Sequence, residues 1–316
     1  MKRTIARAAS LAVALFVVAG AYAQAGSGAS VSFKDERGTT ISMPAKATRI
    51  VSLSPELTEI LFAAGAGKAV VGVTTYCNYP AETLAIAKIG GFSAKTISVE
   101  AIVALKPDLV VGGLSAHGQL AAQLERSGLR FAALPTKDFA DIYSTIELAG
   151  RFAGDEAVAK ALVASMKSRV AAIKAKTDAV PAEKRPVVFW ETWDEPLMSA
   201  GPKTFTGQVI EAAGARNCFA DSTADWPVVS FEAVLARNPG WIMAAESHGA
   251  ALTQERLARR TGWTSLEAVK AGRVVLLDGD IVSRAGPRFV DAIELMAKAP
   301  QPRSEEAGVG EECKPW

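Results

Sequence analysis

The chain of 316 residues contains few of the side chains that build metal centres and nucleophilic active sites. It has only two histidines, and neither they nor its three cysteines occur in a metal-ligand spacing. It has no G-x-S-x-G nucleophile elbow, no Walker phosphate loop and no G-x-G-x-x-G dinucleotide motif. The sequence therefore predicts a protein that is not an enzyme and that carries no metal or cofactor of its own.

A strong charge of one sign is also missing. The 35 lysines and arginines nearly balance the 33 aspartates and glutamates, and the net charge is +2. Without residues 1–23, which hold three basic residues and no acidic ones, the net charge becomes −1. Such a chain offers no basic surface to a phosphate backbone, so no nucleic-acid partner is expected.

The one long apolar run lies at the N-terminus. Three basic residues precede the apolar segment 8–20, and an Ala-Tyr-Ala sequence ending at residue 23 fits a small-residue cleavage site. Because the segment is too short to span a bilayer, residues 1–23 are predicted to be a cleaved signal peptide. An uncleaved membrane anchor is the alternative. The mature protein is expected in the periplasm, as a monomer that does not insert into the membrane.

The three cysteines, Cys77, Cys218 and Cys313, cannot all pair within one chain. In an oxidising compartment at least one thiol stays free or pairs between chains. A Cys218–Cys313 disulfide would tie the C-terminal tail to the second half of the chain. Cys77 would then be a small buried residue.

One short pattern occurs twice, at residues 98–113 (SVEAIVALKPDLVVGG) and 230–245 (SFEAVLARNPGWIMAA). At a constant offset the copies share Ser98 and Ser230, Glu100 and Glu232, Ala101 and Ala233, Ala104 and Ala236, and Pro107 and Pro239. Each copy is typical of a short helix, a proline turn and a buried strand. Two distant copies indicate two similar lobes, each with a glutamate at the same place. Such a matched pair of acidic residues suits a partner that is nearly symmetric.

Strands alternate with helices along the whole chain, which predicts an α/β fold of two Rossmann-like lobes with parallel sheets. Strands are expected at 49–53, 70–73, 108–112, 131–134, 187–190, 240–244 and 274–277. Ser54 as N-cap and Pro55 as first helical residue are expected to start the first helix. The predicted divisions are an extended N-terminal arm over 24–46, an N-terminal lobe over 47–150, a C-terminal lobe over 181–299 and a disordered tail over 300–316.

A long helix is predicted between the lobes. Apolar residues recur at helical spacing within residues 155–178, and no glycine or proline interrupts them. At 1.5 Å per residue, about 22 residues form a rod of roughly 33 Å. We interpret residues 151–180 as a single helix that bridges the lobes, with a ligand cleft between them. The alternative is an ordinary surface helix of one lobe.

Five segments together resemble the periplasmic substrate-binding proteins of ABC importers for cobalamin, haem and ferric siderophores. They are RIVSLSPELTEILFAAG, VGVTTYCNYP, SVEAIVALKPDLVV, WPVVSFEAVLARNP and DIVSRAGPR. The resemblance spans about residues 48–298 and is strongest to the vitamin B12-binding members. It implies two α/β lobes joined by one long helix, with the ligand in the cleft between them.

The resemblance gives the two matched glutamates a role. In this family, acidic residues at the positions of Glu100 and Glu232 dock onto arginines of the membrane permease, one in each lobe. A permease dimer presents the same cationic site twice, and a two-lobed partner can bind both sites with one carboxylate on each lobe. The alternative is that each glutamate only stabilises its own helix, because the helix dipole favours an anion in the first turn.

Aromatic faces bury large flat ligands such as a corrin ring, and five aromatic residues are candidates. By the resemblance, Tyr76 and Trp226 match aromatic residues of the cobalamin cleft, and Phe92 stands where the vitamin B12 receptor has a tryptophan. Trp190 and Trp193 end the first strand of the second lobe, and open α/β sheets bind ligands at the carboxyl ends of strands. The alternative for each is a place in the core of its lobe.

Charged residues and histidines complete the candidate site. By the resemblance, Asp280 matches an acidic residue near the cobalamin nucleotide or amides, and Arg284 and Arg288 match nearby basic positions. Alternatively, two of these three pair with each other at the surface. His117 and His248 each follow a repeat strand by a few residues, so each is predicted to face the cleft and to contact a metal or a propionate. A solvated loop histidine is the alternative.

The sequence therefore predicts a receptor that captures cobalamin or a related corrinoid and delivers it to permease subunits of an inner-membrane ABC importer. Phe92 and Ile281 depart from the vitamin B12 pattern and keep haem and ferric siderophores open as alternatives. Tyr76 and Tyr79 also keep haem open, because phenolate is an axial haem ligand. An anionic siderophore would need several arginines in the cleft, and only two candidates are present. This small number favours the amide-rich corrinoid. A tetrapyrrole-modifying enzyme and a structural module with a degraded cleft are more remote alternatives.

Overall fold

Two parallel sheets flanked by helices organise the chain in the computed structural model, which describes residues 30–246 and 253–298. The predicted signal peptide, His248, Cys313 and the tail from residue 300 lie outside the described residues. No helix within the described ranges is both long enough and apolar enough to cross a membrane.

Residues 31–43 form an antiparallel hairpin of strands β1 (Val31–Lys34) and β2 (Thr40–Met43). Alternate side chains, those of Phe33, Ile41 and Met43, are buried in the core. The described part of the predicted arm is therefore extended, but it folds back on itself as a paired hairpin and packs on the core. The alternation of apolar and polar residues there is the strand period, and two such strands can pair through a turn.

The N-terminal lobe is built on five parallel strands. They are β3 (Ile50–Ser52), β4 (Val70–Val73), β5 (Ala87–Lys88), β6 (Leu109–Gly112) and β7 (Phe131–Ala133). Their order in the sheet is β5-β4-β3-β6-β7. The four predicted strands of this lobe are confirmed to within one residue at each end. The strand β5 has only two residues and was not predicted.

The C-terminal lobe is built on four parallel strands and one small hairpin. The strands, in chain order, are β8 (Val187–Glu191), β9 (Trp193–Asp194), β10 (Leu197–Met198), β11 (Arg216–Asn217), β12 (Trp241–Ala245) and β13 (Val274–Leu277). The parallel sheet has the order β11-β8-β12-β13, and β9 pairs with β10 outside it. The predicted two-sheet α/β fold is confirmed.

Helices connect the strands and cover both sheets. They are α1 (Pro55–Ala63), α2 (Val99–Ala104), α3 (Leu114–His117), α4 (Ala121–Arg126), α5 (Phe139–Phe152), α6 (Glu156–Asp178), α7 (Phe205–Ala212), α8 (Phe231–Arg237), α9 (Gln254–Arg259), α10 (Glu267–Lys270), α11 (Gly279–Val282) and α12 (Phe289–Lys298). Pro55 starts α1 as predicted, but Ser54 makes no side-chain hydrogen bond to the helix. The predicted side-chain cap at Ser54 is therefore wrong.

The two copies of the repeat adopt the same local structure. The serine before each helix accepts the N–H of the residue three positions on, at 3.1 Å for Ser98 and 3.2 Å for Ser230. The residue before each proline has a left-handed backbone, with φ of 47° at Lys106 and 39° at Asn238. No other non-glycine residue in the described ranges has a positive φ. The repeat therefore builds one helix-turn-strand unit in each sheet.

The helix α6 lies between the two sheets in the chain and contacts helices of both lobes. It packs against α1 and α5 of the first lobe and against α7 and α12 of the second. Its buried face is formed by Ala159, Val163 and Met166. Beside it, Phe289 of α12 stacks on Phe139 of α5 with ring centroids 4.3 Å apart. These contacts favour the bridging interpretation over a surface helix of one lobe, and α6 as the single bridge stays a prediction.

Candidate functional site

Ion pairs and hydrogen bonds join segments that follow strands of the two different sheets. Arg284, which follows α11, donates to Glu59 Oε1 at 3.1 Å, to Asn78 Oδ1 at 2.8 Å and to the carbonyl oxygen of Tyr76 at 3.2 Å. It also donates to Asp280 Oδ1 at 2.6 Å. Because Tyr76 and Asn78 follow β4 and Arg284 follows β13, carboxyl ends of strands from both sheets meet here.

Glu59 is the buried anion of this network, with 3% of its surface exposed. Arg288 donates to Glu59 Oε2 at 2.9 Å through Nε and to Glu59 Oε1 at 2.7 Å through Nη2. Burial by itself would lower the pKa of Arg288, but the hydrogen bonds to Glu59 raise it. The guanidinium carbon also lies 4.2 Å from the ring centroid of Tyr79. The arginine charge is therefore neutralised by the protein itself.

Arg284 and Arg288, which were expected near the ligand, make ion pairs within the protein. Arg284 pairs with Asp280, which agrees with the alternative of a local pair, and both Arg284 and Arg288 bind Glu59. Both guanidinium groups are therefore already paired with carboxylates of the protein, and their contact with a ligand stays a prediction. The structure assigns them to contact between the lobes.

Four of the five candidate aromatic residues are exposed. The exposed fractions are 59% for Tyr76, 41% for Phe92, 45% for Trp193 and 47% for Trp226. Tyr76, Phe92 and Trp193 each follow the end of a strand, namely β4, β5 and β8. Exposed aromatic groups of this size mark ligand or partner surfaces when they occur together. The first two belong to the N-terminal lobe and the other two to the C-terminal lobe.

Trp190 differs from the other four. It lies in β8 with 3% of its surface exposed, and it is packed in the hydrophobic core. Its carbonyl oxygen accepts a hydrogen bond from Ser199 Oγ at 2.9 Å. Trp190 is thus a core residue of its lobe, as the alternative proposed, because β8 is covered on both faces. It also lines a cavity, and its contact with a ligand stays a prediction.

That cavity has a volume of about 330 Å³ and lies at the carboxyl ends of β8 and β12. Its lining consists of Trp190, Glu191, Thr192, Thr206, Trp226, Ala245 and Ser283. The carboxylate of Glu191 is bound by Arg260 at 2.6 and 2.8 Å, so the cavity holds no unpaired anion from this residue. The buried hydroxyl oxygen of Thr192 has no hydrogen-bond partner. A buried polar atom of this kind is a place where a ligand's polar group would be stabilised.

A larger cavity of about 560 Å³ lies at the opposite end of the second sheet. It is bordered by Val187, the first residue of β8, and by Arg216, the first residue of β11. Three of its four basic residues have acidic partners: Lys174 and Arg185 pair with Asp178, and Arg237 pairs with Asp221. The smaller cavity is the better candidate for a ligand site, because it lies at the carboxyl ends of the strands and is lined by the exposed Trp226.

His117 is fully buried, with none of its surface exposed. Its Nδ1 accepts the N–H of Gly113 at 3.1 Å, and its Nε2 lies 2.9 Å from the carbonyl oxygen of Phe92. Burial lowers the pKa of His117 below its ordinary value. Both the predicted ligand contact and the solvated-loop alternative are therefore wrong for His117, because both ring nitrogens are bound inside the lobe.

The two matched glutamates are exposed in the first turns of α2 and α8. The Oε2 atom of Glu100 accepts a hydrogen bond from Ser98 Oγ at 3.2 Å. A hydrogen bond from its own backbone N–H lowers the pKa of Glu232, with a further contribution from Ser230. Both carboxylates are thus accessible on equivalent units of the two lobes, and the structure also contains the helix-terminus interactions of the local alternative.

The two described cysteines are free and buried. The Sγ atom of Cys77 lies 3.3 Å from Thr58 Oγ1 and 3.2 Å from Thr74 Oγ1, as suits a small core residue. Burial raises the pKa of the Cys218 thiol to about 12. The other half of the predicted Cys218–Cys313 pair lies outside the described residues.

Glu59 is a residue of the site that the sequence analysis missed. Its signal was present, because it lies on the buried face of α1 one turn after Pro55 and one turn before Phe62. A charged residue in an apolar helical stripe needs a partner when it is buried. Its partners Arg284 and Arg288 are 225 and 229 residues away, which sequence spacing does not reveal.

Comparison with known proteins agrees with this architecture. A family described as periplasmic binding protein matches residues 50–281. An uncharacterized ABC transporter substrate-binding lipoprotein of Bacillus subtilis, YvrC, is 32% identical over 277 residues, which cover 86% of this chain and 86% of the relative. A vitamin B12-binding protein of Salmonella typhimurium is 33% identical over 255 residues, covering 80% of this chain and 90% of the relative.

A solved structure has the same fold. The periplasmic heme-binding protein RhuT from Roseiflexus sp. RS-1, in apo form, superposes with a TM-score of 0.69 at 27% identity. The match covers 81% of this chain and 100% of the RhuT chain. Proteins of this kind bind solutes and work with the permease subunits of ABC importers rather than acting as enzymes. The chain therefore belongs to the periplasmic binding protein family.

Proposed function

We propose that this protein captures cobalamin or a related corrinoid between its two lobes and delivers it to the permease of an ABC importer. The observation that carries the proposal is the set of exposed aromatic residues contributed by both lobes, Tyr76, Phe92, Trp193 and Trp226. A corrin is a large flat plate, and aromatic faces bury such a surface well. The Salmonella typhimurium relative, named a vitamin B12-binding protein, supports the ligand class.

The charge balance of the junction supports a ligand without a strong charge. Glu59 and Asp280 bind Arg284 and Arg288, and Glu191 binds Arg260. Apart from the paired Glu191, the polar side chains that line the smaller cavity are uncharged hydroxyls, including that of Thr192, which has no partner. Hydroxyl groups suit the amide side chains of a corrinoid, whereas a ferric siderophore or a haem propionate is better bound by unpaired cations.

Haem is the second candidate, and one observation favours it. The phenol of Tyr76 is 59% exposed at the end of β4, and phenolate is an axial haem ligand. The name of the similar solved structure, a heme-binding protein, is consistent with this alternative.

Delivery would use Glu100 and Glu232. The two carboxylates lie in equivalent first turns of α2 and α8, so a two-fold symmetric permease would meet the same acidic contact on each lobe. The proposal includes a periplasmic, monomeric protein that has lost residues 1–23 and that carries the ligand as cargo, with no cofactor of its own.

The test is calorimetric titration of residues 24–316 with cyanocobalamin, hemin and a ferric hydroxamate, run in parallel. We expect one-to-one binding of cyanocobalamin and much weaker binding of the other two compounds. Tight binding of hemin alone would move the assignment to haem. Binding of the ferric hydroxamate alone would contradict the argument from charge balance. If none of the three binds, the proposed ligand class is wrong.

A further inference from the structure

His117 occupies a position from which it cannot reach a ligand but can hold a residue that does. Its ring is fully buried behind the segment that carries Phe92. Because Nδ1 accepts the N–H of Gly113, the ring proton is on Nε2, and Nε2 therefore donates to the carbonyl oxygen of Phe92. The tautomer is thus fixed by two backbone groups, one on each side of the ring.

The sequence makes room for this ring. A Cβ at Gly112 would lie 3.0 Å from the Cβ of His117 and 3.1 Å from its Nδ1, which is tighter than side chains normally pack. Glycine at the end of β6 therefore allows the imidazole to pack against the strand. The short helix α3 then carries His117 back to the strand end, where its backbone N–H donates to the carbonyl of Gly113 at 2.9 Å.

The segment 90–97 is closed tightly at its base. The N–H of Gly91 donates to the carbonyl of Thr96 at 3.0 Å, and the N–H of Thr75 donates to that of Gly90 at 2.9 Å. Gly90 has a φ of 116°, and a Cβ there would collide with the carbonyl oxygen of Thr96. The backbone thus fixes the base of this segment in a conformation that glycine permits.

Phe92 lies beyond this closed base, 41% exposed. Its ring meets the imidazole of His117 edge to face, with centroids 5.3 Å apart and planes at 75°. The imidazole therefore contacts Phe92 twice, through the carbonyl oxygen and through the ring. Without this hydrogen bond, the backbone at Phe92 would no longer be held, and its exposed ring could adopt other orientations.

We propose that His117 is a positioning residue for ligand binding, which holds the aromatic ring of Phe92 in the cleft through the Nε2–H donor. The proposal rests on the proposed function, because the contact of Phe92 with a corrinoid is itself part of that function. It replaces the role of a direct ligand contact, which the burial of His117 excludes.

The test compares two substitutions that each retain half of the imidazole. Glutamine places an amide donor near the position of Nε2, so His117→Gln keeps the bond to Phe92. Asparagine places an oxygen near the position of Nδ1, so His117→Asn keeps the bond to Gly113 and loses the bond to Phe92. We expect His117→Asn to weaken cyanocobalamin binding by about tenfold, the order of one hydrogen bond, and His117→Gln by less than about threefold.

A second background makes the test specific. With Phe92→Ala, the positioned ring is absent, so adding His117→Asn is expected to cause no further loss of affinity. An equal loss in both backgrounds, or wild-type affinity of His117→Asn in the native background, would overturn the proposal.

A measurement without ligand separates this proposal from the proposed function. Hydrogen exchange of the amides in residues 91–97 is expected to be faster in His117→Asn than in His117→Gln, because only the second variant still holds the Phe92 carbonyl. Equal exchange in the two variants would overturn the positioning role. If the wild type binds none of the three compounds, the proposed function fails, whereas the exchange difference still reports on how Phe92 is held.

Discussion

Glu59 and Arg288, 229 residues apart in the chain, form a two-bond ion pair with distances of 2.9 and 2.7 Å. The carboxylate side chain is 2% exposed and the guanidinium side chain 17% exposed, so water screens the pair little. The pair ties α1, the first helix of the N-terminal lobe, to the residue that directly precedes α12, the last helix of the C-terminal lobe. Breaking this pair is therefore expected both to lower the stability of the fold and to loosen the contact between the lobes.

We expect Glu59→Gln to lower the free energy of unfolding by about 2–3 kcal/mol, because Arg288 loses its carboxylate partner while partly buried and Arg284 keeps only Asp280. Urea denaturation measures this change. The control is Glu156→Gln, which removes an exposed pair with Lys160 at 3.4 Å and is expected to cost less than about 1 kcal/mol. An equal loss of unfolding free energy in the two variants would show that the buried Glu59 pair contributes no more than an exposed pair.

Trp226→Ala is expected to weaken cyanocobalamin binding by about 1–3 kcal/mol, the order lost when a stacked aromatic is truncated. Calorimetric titration measures the loss. The control is Trp241→Ala, which removes an indole at the opposite end of β12 and is expected to leave affinity unchanged in the folded variant. Unchanged affinity of Trp226→Ala would place Trp226 outside the ligand site.

The double variant Glu100→Ala with Glu232→Ala is expected to bind ligand like the wild type and to bind the reconstituted permease at least about tenfold more weakly, because two interfacial charge pairs are lost. Glu255→Ala is the matched control, since Glu255 also lies in a first helical turn behind a threonine cap and its own backbone N–H likewise lowers its pKa. A similar loss with Glu255→Ala would favour the local helix-terminus role for the two matched glutamates.

The stability of the protein is expected to fall between about pH 6.5 and the lower pKa of buried His117. The unfolded chain binds the proton at the ordinary histidine pKa, whereas the folded chain binds it only at lower pH, so acid favours unfolding in this window. Urea midpoints across this range measure the effect. The slope should be smaller in His117→Gln, which lacks the titrating group. An identical slope in both proteins would contradict the linkage.

The two described thiols are expected to resist modification in the folded protein. With a pKa of about 12, only about one Cys218 thiol in ten thousand is ionised at pH 8, and Cys77 is 1% exposed. In Cys313→Ser, an aromatic disulfide reagent should therefore label almost no thiol without denaturant and two thiols after unfolding. Rapid labelling of the native variant would show that one of these cysteines is more accessible than the structure indicates.

The repeat shows what local sequence can predict. Ser98 and Ser230 were expected to cap helices, and both accept an N–H three residues on. The seven predicted strands agree with the structure to within one residue at each end, because a short apolar run between turn residues is typical of a buried strand, whereas the two-residue strands were not predicted. Ser54 was the exception, since its buried hydroxyl makes no hydrogen bond to the first turn of the helix it precedes.

The candidate site was only partly predictable. The exposed aromatic residues Tyr76, Trp193 and Trp226 were identified from their place at strand ends or from the resemblance, and their ligand contacts stay predictions. Trp190 belongs to the same short segment as Trp193 but is buried. A strand in the middle of a parallel sheet is covered on both faces, and a residue three positions later has left the sheet.

Local sequence was enough to predict the two α/β units, the caps at Ser98 and Ser230 and the matched positions of Glu100 and Glu232, because these depend on interactions between residues close in the chain. That Arg288 binds Glu59, and that His117 faces Phe92 rather than the cleft, became visible in the folded chain alone. The first pairing joins residues 229 positions apart, and the second depends on the space that Gly112 leaves beside the ring. Long-range partners and the direction of a side chain follow from packing, which local periodicity does not contain.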